Sequence, residues 1–227
     1  MDAINEKLPL VVKYGHSVSS VKQTININTE LIMGCRYSKP KARTRSLTDI
    51  TGMADGLPEP SPPTPTDPRL PLSARQVFKL KKSWKGIKRC MAATGVEIFV
   101  RMFKNSKEIQ SLFEGFRELK TDDELRMNET LEMHATTVMS VIDDVMDNIH
   151  NVDLVLDMLK STGNSHTKFH GFRPSLFWSV EQPFLDAVRI TLGDRYTDNM
   201  DTIYKITIKF VLENLVKGGT VSNNDIS

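Results

Sequence analysis

The sequence is short of cysteine: Cys35 and Cys90 are the only two, in segments of very different composition. Such a pair is not expected to build a disulfide framework, which predicts a reducing, cytoplasmic setting and a fold held by its core. Long hydrophobic runs are lacking too. No run reaches the about 18 apolar residues that a membrane helix needs. Lys7, Lys13 and His16 interrupt the first twenty residues, so no secretory signal is expected. Charge of one sign is not in excess, because 30 basic residues face 28 acidic ones for a net of +2. That balance gives no general pull toward membranes or nucleic acid, and nucleic acid is not expected as a partner. No catalytic triad, thiolate metal cluster or phosphate-binding glycine loop can be read, and Gly193-Asp194 alone is no nucleotide motif.

Proline is missing from a whole region, and this sets the domain boundary. Nine prolines fall between Pro9 and Pro71, and none occurs again before Pro174. Proline removes a backbone donor and clashes with the preceding turn, so the first segment is not built of helices. Glu59 to Pro71 reads as a stiff extended linker, and the stretch 36–58, rich in Ser, Thr, Lys and Arg, as disordered. Residues 1–71 are therefore expected to form a disordered extension and linker, 72–218 a domain, and 219–227 a disordered tail. Within the extension, Met33-Gly34-Cys35-Arg36-Tyr37-Ser38 has the pattern of an N-myristoylation signal, with a cysteine placed for palmitate and basic residues following. Gly34 is internal, so this matters only for a product that starts at Met33. Such a product would be membrane-associated by the two-signal logic of acyl chain plus basic patch; otherwise the match is chance.

From Leu72 onward the apolar spacing is helical throughout. Ser73 is an expected N-cap for a stripe of Val77, Leu80, Trp84 and Ile87, followed by Val96, Phe99, Val100 and Phe103. A short helix is expected over 108–116, with a corner after it carrying Phe113 and Phe116. Thr121 with Glu124 forms a capping box at the head of a long helix, whose stripe runs from Met127 through Leu131, His134, Val138, Ile142 and Val145 to Ile149. A short helix over 152–160 is expected to end or bend at Gly163-Asn164. Pro183 predicts a kink in a helix over 176–192, and Gly218-Gly219 a stop for the last helix. Five methionines between Met127 and Met158 read as flexible core filler. Gly95 and Ala135 suit a close helix crossing. Seven or eight helices with no convincing strand make this an all-α domain.

At this point the chain resembles the globin family over most of residues 73–217. Arg101-Met102-Phe103 and the run Phe113-Glu114-Gly115-Phe116-Arg117-Glu118-Leu119-Lys120-Thr121 are similar to globin segments, the second to the corner after the third helix. Leu159, His166 and Phe172 resemble the proximal-histidine segment, and Leu192-Gly193-Asp194 with Tyr196-Thr197 the approach to the last helix. Lys107 departs from the usual proline, the gap between His134 and His166 is a few residues longer than in myoglobin, and the extension has no counterpart there.

The resemblance implies a globin fold, haem as cofactor, and dioxygen or another diatomic molecule as ligand. It places His166 as the proximal iron ligand, with His170 as competitor, and His134 as the distal histidine. His134 would either donate a hydrogen bond to the diatomic or bind iron itself. Phe99, Phe113, Val138 and Phe172 are the expected pocket walls. A neutral imidazole is a good iron ligand when its other ring nitrogen is held by an acceptor, and Ser161, Thr162 or a backbone carbonyl is expected to serve. The functions implied are a carrier, store or sensor; a haem redox enzyme drawing on an external electron donor; or a haem-free interaction module.

Overall fold

The structure, a computed structural model, describes residues 67–221. The Gly34-Cys35 acylation pattern, His16 and residues 222–227 lie outside the described residues. The described residues are helical, with no strand among them. They form α1 (Ala74–Lys88), α2 (Met91–Asn105), α3 (Lys107–Ser111), α4 (Asp122–Arg126), α5 (Glu129–Asp147), α6 (Val152–His166), α7 (Glu181–Leu192) and α8 (Asp198–Val221). Two 3-10 segments, Pro174–Val180 and Gly193–Arg195, flank α7. The all-α expectation holds.

The helix starts follow the capping chemistry read from the sequence. Ser73 and Gln76 close a capping box on α1, and Thr121 and Glu124 close one on α4. Thr197 Oγ1 accepts from the Met200 amide at the head of α8. Four expectations need correction. The long helix is two helices, because Asn128 accepts from the Leu131 amide and starts α5 afresh. Met127 therefore leaves the stripe and is 76% exposed, and Met133 is exposed as well, whereas Met139 and Met146 are core. α6 does not end at Gly163 but runs to His166. Pro183 kinks nothing: the chain is 3-10 up to Val180, and Pro183 sits in the first turn of α7, where a missing amide costs no intrahelical bond. α8 likewise passes through Gly218 and Gly219 to Val221.

The glycines explain why those helices continue. A Cβ at Gly163 would lie 2.1 Å from the Leu215 carbonyl oxygen, and one at Gly218 would lie 2.4 Å from the Lys160 carbonyl oxygen. α6 and α8 thus cross backbone to backbone, and the glycines are there for proximity rather than termination. The same logic, anticipated for Gly95 and Ala135, brings α2 against α5: a Cβ at Gly95 would lie 2.9 Å from the Ala135 carbonyl oxygen.

Two apolar clusters result. The larger joins α1, α5, α6, α7 and α8 around Trp84, Phe184 and Tyr204. The smaller holds Phe99, Phe103, Phe116, Leu125, Leu131 and Ala135, and Val138 packs against both. Polar groups inside the core are paired. The Trp84 indole donates to Asp143, Tyr204 shares a hydrogen bond with Ser83, and Thr94 shares one with Thr191. The folded part begins before Leu72, since Leu70 is buried and Arg69 donates to Asp153 on α6. Cys90 stands at the α1–α2 corner, in the N-cap position of α2, and is half-buried.

Candidate functional site

His166 is the last residue of α6. Asn151 caps that helix by accepting from the Leu154 amide, and Val152, Val155, Leu159 and Gly163 turn toward the core. The Nδ1 of His166 is 2.8 Å from the Thr162 carbonyl oxygen, with Ser165 Oγ at 3.4 Å. A carbonyl can only accept, so Nδ1 carries the proton and Nε2 keeps its lone pair. The acceptor foreseen near Thr162 is therefore its backbone carbonyl. Phe177, Phe172 and Phe169 surround the imidazole, with ring centroids 5.0, 5.4 and 6.0 Å away. His170, the competing candidate, is exposed.

His134 projects from α5 against Phe99 and Phe113, with ring centroids at 5.1 and 5.8 Å in edge-on arrangements. Neither of its nitrogens makes a hydrogen bond among the described residues. Burial pulls its pKa below the ordinary histidine value, and the charge of His166 lowers it further. Burial lowers His166 too, partly opposed by the bond to Thr162. Both rings are therefore neutral near pH 7, each offering a lone pair, and they sit near enough to interact electrostatically. Val138 stands one turn beyond His134.

The corner carrying Phe113 is fixed by a buried amide. Gln110, only 2% exposed, donates from Nε2 to the Phe116 and Leu119 carbonyls at 2.7 Å each, and its Oε1 accepts from Lys107 Nζ at 2.9 Å. Where the resemblance predicted proline at 107, Ser106 caps α3 instead by accepting from Ile109. Phe113 packs on Phe103 and Phe116, with centroids 5.1 and 5.9 Å away. Of the wall residues expected from sequence, Phe99 and Phe113 pack against His134, Phe172 packs against His166, and Val138 lies one turn from His134 on α5. Gln110, Phe103 and Phe177 were missed as site residues. Gln110 has no sequence signal, whereas Phe177 was legible only as one apolar position of a helix.

The donor set selects the type of guest. No group of three or more His, Cys, Asp or Glu side chains able to hold a metal ion exists among the described residues. Two neutral imidazoles between aromatic walls suit instead a metal that brings its own planar apolar ligand. Comparison with known proteins agrees, since the family model described as Globin matches residues 96–214. The chain belongs to the globin family. Cytoglobin-1 of Oryzias latipes is 27% identical over 130 residues, covering 57% of this chain and 71% of that protein. Neuroglobin of Tetraodon nigroviridis is 26% identical over 155 residues, covering 68% and 96%. Among solved structures, a hexacoordinated haem protein from an anhydrobiotic tardigrade, crystallised at pH 4, is 37% identical with a TM-score of 0.66. That match covers 68% of this chain and 99% of the tardigrade chain.

Proposed function

We propose that this globin holds haem between His166 and His134, and that His134 would compete with a small diatomic molecule for it. The observation that carries the reading is the state of the two imidazoles. Each is neutral and walled by aromatic rings. The Nδ1 of His166 is tied to a carbonyl so that Nε2 is presented, while His134 is tied to nothing among the described residues. The tethered ring is the permanent ligand. The untethered one can withdraw without breaking a hydrogen bond to the protein, which makes it the exchangeable one. The hexacoordinated state of the tardigrade relative supports this assignment.

Haem, when bound, supplies an iron centre that takes up small diatomic ligands and exchanges single electrons. The protein's part is to orient and to exclude. Phe99 and Phe113 keep water from His134 and restrict the space to small guests, and the Thr162 carbonyl raises the basicity of His166. A chain in which a side chain competes with the diatomic suits sensing, or redox work with an external electron donor, better than bulk carriage. For a product beginning at Met33, acylation at Gly34 would localise that activity to a membrane.

Optical spectra of the ferric and ferrous protein, with and without carbon monoxide, test the proposal. The expected ferrous spectrum has split visible bands, lost on adding carbon monoxide and absent from His134→Ala. His166→Ala should retain haem poorly. A protein without a Soret band removes the haem reading. A single broad ferrous band before carbon monoxide is added removes His134 as a ligand while leaving haem in place.

A further inference from the structure

The near-neutral net charge conceals an uneven distribution. Between Asp67 and Glu97 the sequence has no acidic residue and eight basic ones, most of them on α1. Arg75, Lys79, Lys82, Lys85 and Arg89 recur at steps of four, three, three and four, so they line one side of that helix over about 21 Å. The opposite side holds Leu80, Trp84 and Ile87 in the core, whereas Gly86, on the cationic side, is buried where the helix meets Leu192 and Arg195. None of these five cations has an ion pair among the described residues. The two other lysines of the helix are engaged elsewhere: Lys88 pairs with Asp143 and Asp147 at 3.0 Å each, and Lys81 donates to the Asp147 carbonyl. The acids of α5 are thus taken up on one flank, and the outer face is left uncompensated. Phe78 stands in that face, 68% exposed, with Arg75 three residues before it and Lys82 and Lys85 four and seven after.

We propose that this face of α1 is a docking surface for an anionic lipid bilayer. Three observations choose a bilayer over other polyanions. A phenylalanine held outward among cations can enter the headgroup region, where apolar burial and charge attraction act together. Lysine supplies three of the five charges, which are compact point charges suited to a diffuse anionic surface rather than to bidentate recognition. The helix is also the first after the extension, whose sequence carries the second elements of a membrane address, the Gly34-Cys35 pattern and the basic residues Arg36, Lys39, Lys41, Arg43 and Arg45. A single acyl chain gives marginal binding, and a basic patch on the adjoining helix provides the complementary signal. The docking is independent of the haem chemistry and of whether Met33 is used as a start.

The test uses the full-length, unacylated, haem-loaded protein and vesicles of phosphatidylcholine alone or mixed with phosphatidylserine. Sedimentation should find protein only on the mixed vesicles, with binding that falls steeply as salt rises. Changing Lys79, Lys82 and Lys85 to Gln should weaken partitioning about a hundredfold, with the haem spectrum unchanged as evidence of folding. Phe78→Ser should weaken it severalfold while leaving the salt dependence as it was. A second variant neutralises Lys39, Lys41, Arg43 and Arg45. If that variant abolishes binding while the α1 triple variant binds like the parent, the proposal is overturned. No binding to mixed vesicles, equal binding to both kinds, or tighter binding to double-stranded DNA than to mixed vesicles at the same salt overturns it as well.

Discussion

Replacing Gly163 by Ala separates two physical effects of opposite sign. In an isolated helix the change is favourable by about 1 kcal/mol, because alanine loses less backbone entropy on folding. In α6 the new methyl would sit 2.1 Å from the Leu215 carbonyl oxygen and 3.0 Å from the Gly219 amide nitrogen. Both are backbone atoms of α8 and cannot rotate away, so the helices must part by on the order of 1 Å, and overpacking of this kind costs about 1–3 kcal/mol, more where the neighbour is rigid. The expected balance is a loss of about 2 kcal/mol, or about 4–8 °C in Tm for a domain of this size. Because His166 is one turn further along α6, displacement of the crossing also moves the imidazole. Thermal unfolding by circular dichroism and the rate of haem loss to excess apomyoglobin should therefore change together. Gly115→Ala is the control. Nothing lies within 4 Å of a Cβ there, and a shift within about 0.5 kcal/mol is expected. A Gly163→Ala protein more stable than its parent would show that propensity governs this position and that the close crossing does not.

Gln110→Leu leaves the Phe116 and Leu119 carbonyls without their donor. It should cost about 3 kcal/mol in urea unfolding, with greater access of carbon monoxide because Phe113 is no longer held; a cost below about 1 kcal/mol would show that the corner is set by its phenylalanines alone. Acid should destabilise the haem-free protein through its two half-buried histidines. The folded state lowers both pKa values, whereas the unfolded chain takes up protons near the ordinary value of 6.5. Their contribution is complete above that pH and is lost as pH falls below it toward the lowered folded values. Urea midpoints measured from neutral into mildly acidic solution should fall accordingly, and less so in a protein with His134 and His166 both changed to Gln. An unchanged slope in that variant would place the acid sensitivity elsewhere.

The apolar periodicity made the helices legible, and the histidine and phenylalanine positions made the site legible, because both depend on spacing along one element. Ser73 and Thr121 were readable as caps for the same reason: a cap acts within four residues. What failed required knowledge of a neighbour. Gly163 and Gly218 look alike whether a helix stops there or another helix passes close by, and only the position of α8 decides. Met127 fits the apolar stripe until Asn128 competes for the backbone and restarts the helix. Pro183 signals a break, but its place inside or at the head of a helix depends on where the preceding 3-10 segment ends. Gln110 is one polar residue among many until the corner folds over it.

Arg69 and Leu70 set a mechanical boundary condition. The chain enters the domain with Leu70 and Leu72 buried and with Arg69 bonded to Asp153, the second residue of α6. A load applied through residues 1–66 therefore reaches the histidine-bearing helix before it reaches the far end of α1. If the protein is held by that end, the tether and His166 share a lever, with Asp153 at one end of α6 and the imidazole at the other.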